Sequence, residues 1–129
     1  MTGVQTCALP ISYEQNGRTL FGNSVEQVVT TLEGMGVAAV GMNCSMGPAQ
    51  AIPIIEEYGR IAKSPVFFKP NSGLPVLGED GTVTHPYTPE MFINEITPAL
   101  SFTTYIGGCC GCSREYIREL RKAVDELND

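Results

Sequence analysis

The sequence is short of positive charge. Its 129 residues carry 8 Lys and Arg against 14 Asp and Glu, a formal net charge of -6. With an isoelectric point near 4.7, no basic face is available for nucleic acid or an anionic membrane surface. Long apolar runs are also missing. None approaches the roughly 18 residues needed to cross a bilayer, and the first residues lack the basic and long apolar regions of a secretory signal. There is no G-x-G-x-x-G after a first strand and no G-x-x-x-x-G-K-[ST], which removes the main support for a dinucleotide or nucleoside triphosphate site. Histidine occurs once, as His85 ahead of Pro86 in a long loop, where a solvated side chain is expected rather than a ligand or base. These absences lead to the expectation of a cytoplasmic chain with neither nucleic acid nor membrane as partner.

What is present is an ordinary globular composition, 43% hydrophobic and 17% charged, enough for about one domain. The five cysteines are Cys7, Cys44, Cys109, Cys110 and Cys112. Three of them crowd together near the end, and in a reducing compartment such crowding points to metal or catalysis before disulfides. Residues 1–11 (MTGVQTCALPI) have no charge and resemble the in-frame translation of a sequencing-adapter oligonucleotide. They are expected to be foreign, with Cys7 not native and a partial domain over residues 12–129 whose own start is missing.

From Ser12 onward, short β-rich runs alternate with amphipathic stretches of helical length, the pattern of βα units and a parallel sheet. A strand remnant is expected at Ser12 and Tyr13. Ser24 and Gln27 form a capping box ahead of an apolar face of Val25, Val28, Val29, Leu32 and Met35. Val37 to Met42 reads as a buried strand ending at Asn43 and Cys44. A helix then runs from Gly47 and Pro48 to about Ala62, with Pro53 expected near its start because proline kinks a helix interior. Val66 to Lys69 is the next strand, followed by a long loop with a turn at Glu79, Asp80 and Gly81. Thr88 and Pro89 open a third helix with Phe92, Ile96 and Leu100 inward and Pro98 limiting it. Thr103 to Ile106 is the last strand. A final helix, 113–127, carries an apolar stripe of Ile117, Leu120, Val124 and Leu127, and its charges form a solvated face in which Arg121 with Asp125, or Lys122 with Glu126, can pair.

One strand remnant and three full strands, each followed by a helix, amount to half of a closed (β/α)8 barrel, which takes about 250 residues. The expected fold is therefore α/β, the C-terminal half of a TIM barrel, about strands 5 to 8. Such a half exposes two strand edges and an open core, so low stability and self-association are expected of the chain alone.

The chemistry gathers at two strand ends. Asn43-Cys44 closes one strand and Gly108-Cys109-Cys110-Gly111 closes the last. In a barrel both lie on the face where active sites are assembled, and strands two apart point side chains into the same layer. The flanking glycines let the backbone leave strand geometry so that both vicinal cysteines can face one ion. Three thiolates with an open tetrahedral position suit a catalytic zinc; buried cysteines that simply pack are the alternative.

Asn43-Cys44-Ser45-Met46-Gly47-Pro48, Pro70-Asn71-Ser72-Gly73-Leu74-Pro75 and Gly107-Gly108-Cys109-Cys110-Gly111 resemble three successive signatures of the zinc-dependent homocysteine S-methyltransferase family, as does Gly17-Arg18-Thr19-Leu20 followed by Gly22. The first two signatures are most similar to the homocysteine-binding module of cobalamin-dependent methionine synthases. The resemblance implies that Cys44, Cys109 and Cys110 ligate Zn2+ and that homocysteine sulfur takes the fourth position. A methyl group then passes to that thiolate to give methionine. Methylcobalamin on a corrinoid module is the implied donor, with betaine or S-methylmethionine as alternatives, and a folate module is a further implied partner. Asn71 is placed either to touch the ion or substrate or to order the turn through its amide. Cys112 stands where the family pattern leads one to expect Thr or Ser, and a packing or cap role is expected for it. Two further readings remain open: a structural zinc module closed by Cys112, and an inactive truncated fragment that binds zinc weakly and turns over little.

Overall fold

The computed structural model describes residues 8–73, 75–84 and 86–129; the expectations for Cys7 and His85 fall outside these. The elements in order are β1 (Ala8–Ile11), α1 (Val25–Gly34), β2 (Ala39–Asn43), α2 (Pro48–Ile61), β3 (Val66–Lys69), β4 (Val76–Leu77), β5 (Val83–Thr84), α3 (Pro89–Ile96), β6 (Tyr105–Ile106) and α4 (Arg114–Asn128). Four strands form one parallel sheet in the order β1-β2-β3-β6. The two cysteine-bearing strands, β2 and β6, therefore flank β3, as the alternation requires.

Periodicity and caps explain the helices. Ser24 and Gln27 close the expected capping box on α1, and Val25, Val28, Val29 and Leu32 are buried. Thr88 caps α3 through the backbone N–H of Met91, with Phe92 and Ile96 buried. A 3-10 turn, Thr97–Ser101, follows α3 where Pro98 interrupts the α-helical pattern. The core lies between sheet and helices, around Tyr58, Phe68, Phe92, Met42, Met46 and Ile55.

Several expectations are corrected. The first strand lies at Ala8–Ile11, not at Ser12 and Tyr13, and sits within the segment read as foreign; its backbone pairs in parallel register with Ala39–Met42. Ser12 and Tyr13 leave the sheet because both turn to the loop after β2, Ser12 Oγ donating to the Asn43 carbonyl and the Tyr13 N–H donating to Ser45 Oγ. Pro53 is the sixth residue of α2 rather than part of its first turn. It forfeits one bond, to the Ala49 carbonyl, on the exposed side of the helix where water can replace it. The long loop after β3 contains an antiparallel hairpin, β4-β5, closed at the expected Glu79-Asp80-Gly81 turn. On α4 the buried residues are Tyr116 and Leu120, whereas Ile117 and Leu127 are exposed. Of the expected stripe only Leu120 is buried; Ile117, Leu120 and Val124 line an open groove of about 300 Å³ with Thr104, Tyr105 and Ile106. Arg121 pairs with Asp125 as expected, but Lys122 reaches back to Glu119 rather than on to Glu126.

Candidate metal centre

Three loops meet beyond the carboxyl ends of β2, β3 and β6. The loop after β2 turns at once, with Cys44 and Ser45 both in the left-handed region at φ 58° and 70°. That conformation costs a non-glycine residue about 1–2 kcal/mol, so it persists because neighbours hold it. The Cys44 N–H donates to the Lys69 carbonyl at 2.9 Å and the Met46 N–H to the Cys44 carbonyl at 2.8 Å. The loop after β3 acts as a staple between the other two. Its Asn71 N–H donates to the Met46 carbonyl, its Ser72 N–H to the Cys110 carbonyl, and its Pro70 carbonyl accepts from Cys109 N–H. Asn71 Oδ1 accepts from Cys110 N–H at 3.1 Å.

Close backbone approach explains two glycines in these loops. A Cβ on Gly47 would lie 2.7 Å from the Cα of Gly73, and one on Gly73, at φ +89°, would strike the Tyr87 ring at 2.0 Å. The close approach of Gly47 and Gly73 lets the β2 and β3 loops touch, so that the β3 loop can bridge the Cys44 turn to the Cys109-Cys110 turn.

The result is a cluster of thiols. The sulfurs of Cys44, Cys109 and Cys110 lie within 4.8 Å of one another, with 3.5 Å between those of Cys44 and Cys110. Three thiolates each about 2.3 Å from a tetrahedral zinc stand about 3.8 Å apart, so small side-chain rotations bring the trio into range. Burial opposes ionisation of Cys44, but hydrogen bonds from the Cys110 and Cys109 thiols and from backbone N–H groups outweigh it and hold this thiol below its ordinary value. Its partner moves the other way: hydrogen bonding to Cys44 and the charge there push Cys110 up to about 11. A divalent cation can replace the proton such a pair shares, and an all-thiol donor set suits a soft or borderline metal such as zinc. Cys110 is exposed while Cys44 and Cys109 are partly buried, so the cluster opens to solvent on one side.

Cys112 stands apart from the trio. Its sulfur lies 3.8 Å from the Pro70 carbonyl, and burial pushes its thiol up to about 11, the behaviour of a packed residue. Asn71 is buried, with its side-chain oxygen engaged in ordering the Cys110 turn. Two residues here escape sequence reasoning. Ser45 accepts the Tyr13 N–H at 3.1 Å, a contact between positions too far apart for any local pattern to show. Ser72 is fully buried with no hydrogen-bond partner for its hydroxyl.

The family model described as homocysteine S-methyltransferase matches residues 4–124. The chain is 32% identical over 121 residues to a methionine synthase of Mycobacterium leprae (strain TN), covering 92% of this chain and 10% of that protein. It is 34% identical over 119 residues to a methionine synthase of Mycobacterium tuberculosis (strain ATCC 25618 / H37Rv), covering 91% and 10%. The chain thus spans about a tenth of the length of these curated relatives. Among solved structures, the homocysteine methyltransferase MmuM from Escherichia coli in its oxidized form has the same fold over 88% of this chain and 35% of that one, with a TM-score of 0.62 and 20% identity.

Proposed function

The chain belongs to the homocysteine S-methyltransferase family, and on that premise we propose that it is the zinc-holding part of a homocysteine-binding barrel, with its four parallel strands as about strands 5 to 8. The observation that carries this reading is the convergence of three thiols, from two strands that flank a third, within 4.8 Å. Cys44, Cys109 and Cys110 would hold Zn2+. When bound, the ion supplies Lewis acidity that keeps a substrate thiol ionised near neutral pH.

The protein's own residues do the positioning. The staple of Pro70, Asn71 and Ser72 fixes the Cys109-Cys110 turn against the Cys44 turn, so the donors are ordered before any ion arrives. The solvent-facing side at Cys110 leaves room for a fourth ligand, which for this family is homocysteine. With the ion bound, the reaction would form an S–C bond from the homocysteine thiolate to the donor's methyl carbon while the donor–methyl bond broke and its electron pair stayed on the donor, giving methionine. No side chain of the cluster can supply a methyl cation, so the donor is a separate partner. Methylcobalamin on a corrinoid module, resupplied through a folate module, is the donor favoured by the resemblance of Asn43–Pro48 and Pro70–Pro75 to the homocysteine-binding module of cobalamin-dependent methionine synthases. A cytoplasmic setting keeps the three thiols reduced for this chemistry.

Zinc stoichiometry tests the assignment. Chain purified under reducing conditions should carry one zinc per molecule; Cys44→Ala, Cys109→Ala and Cys110→Ala should each lose it, and Cys112→Ala should retain it. Loss of zinc in Cys112→Ala equal to that in the other three would replace this reading with a closed four-thiolate site.

A further inference from the structure

Ser45 is the residue that ties the metal turn to the core. Its hydroxyl accepts the Tyr13 N–H at 3.1 Å and lies 3.4 Å from the Asn43 carbonyl, to which it donates. Tyr13 is in turn immobilised. Its ring is buried edge-on against Tyr58 at a centroid distance of 6.0 Å, and the two hydroxyls are 2.7 Å apart. A chain of contacts therefore runs from α2 through Tyr58, Tyr13 and Ser45 to Cys44. It ends on the only two non-glycine residues with left-handed backbone among those described. A strained turn left unanchored would relax and carry Cys44 away from the other two sulfurs.

We propose that Ser45 is a positioning residue for the metal site, its hydroxyl clamping the left-handed turn that presents Cys44 to Cys109 and Cys110. This rests on the assignment of the three cysteines as metal ligands. A hydroxyl is needed because it must accept from one backbone group and donate to another at the same time, which alanine and glycine cannot do. Supporting groups of this kind change metal affinity by about 10–100-fold when removed.

Replacing Ser45 in two ways separates clamp from strain. Ser45→Ala loses the hydroxyl and keeps the strained φ; Ser45→Gly loses the hydroxyl and relieves the strain. Cobalt(II) titration of the full chain, read by the thiolate-to-cobalt absorption band and followed by competition with zinc, should show affinity at least about 10-fold weaker in both variants. The d–d envelope should shift in both, because the Cys44 donor is displaced. Thermal unfolding of the metal-free chains should order differently, with Ser45→Gly at or above Ser45→Ala. Affinity within two-fold of the parent in both variants, with an unchanged cobalt spectrum, would overturn the clamp while leaving the three-cysteine site intact. Absence of the thiolate band in the parent chain itself would remove the metal assignment and the clamp with it.

Discussion

Glu33, on the last turn of α1, gathers the start of β3 to its own helix: one carboxylate oxygen accepts from the backbone N–H groups of Lys63 and Ser64 and from the Ser64 hydroxyl, at 2.7–2.8 Å. The Ser64 hydroxyl bond, opposed by burial and reinforced by the two backbone bonds and the Lys63 charge, holds this carboxyl below its usual range. A carboxyl with a lower pKa folded than unfolded adds stability above its unfolded value of about 4.3, and that stability is lost as pH falls through the folded value. Glu33→Gln should therefore unfold about 1 kcal/mol more easily at pH 7, less than the roughly 1.5–3 kcal/mol of buried bonds to a charged group because the site is partly exposed. The difference should shrink towards zero below about pH 4. Urea titration of both chains at pH 7 and pH 3.5 checks this, and an undiminished difference in acid would exclude the charge as its source.

At the scale of elements, what could be read from the sequence was what repeats locally. The capping box at Ser24, the Thr88-Pro89 helix start and the Val66–Lys69 strand lie where caps, proline and β-branched or aromatic runs place them. That the three cysteines reach the same end of the sheet was legible too, because parallel βα order puts β2 and β6 on either side of β3; their close approach depends on the loops. Most of what escaped is set by contacts distant in sequence. The β1 position depends on backbone pairing with β2, the β4-β5 hairpin hides in a loop rich in turn residues, and Ser45 acts through Tyr13. The α4 stripe misled for a related reason: its periodicity is genuine, yet Ile117 and Leu127 stay exposed because no described element packs on them. An exposed apolar residue in a groove binds hydrophobic dye. Ile117→Glu should lower the fluorescence of bound anilinonaphthalene sulfonate while changing stability by no more than about 0.5 kcal/mol, as for other surface changes. A loss of several times that would mean Ile117 is packed.

For the whole molecule, four parallel strands bring two cysteine loops and a stapling loop to one end of the sheet. The three thiols lie close enough to share an ion and open to solvent on one side, whereas a structural zinc site is closed by a fourth protein ligand. No helix among the described residues is long and apolar enough to cross a membrane. The central claim is that this end holds zinc through three protein sulfurs and offers the remaining position to a substrate thiol. Zinc-edge X-ray absorption of the loaded chain, with and without homocysteine, tests it most directly. The account predicts three sulfurs and one lighter atom around zinc without homocysteine and four sulfurs with it; a four-sulfur shell that homocysteine leaves unchanged would contradict it.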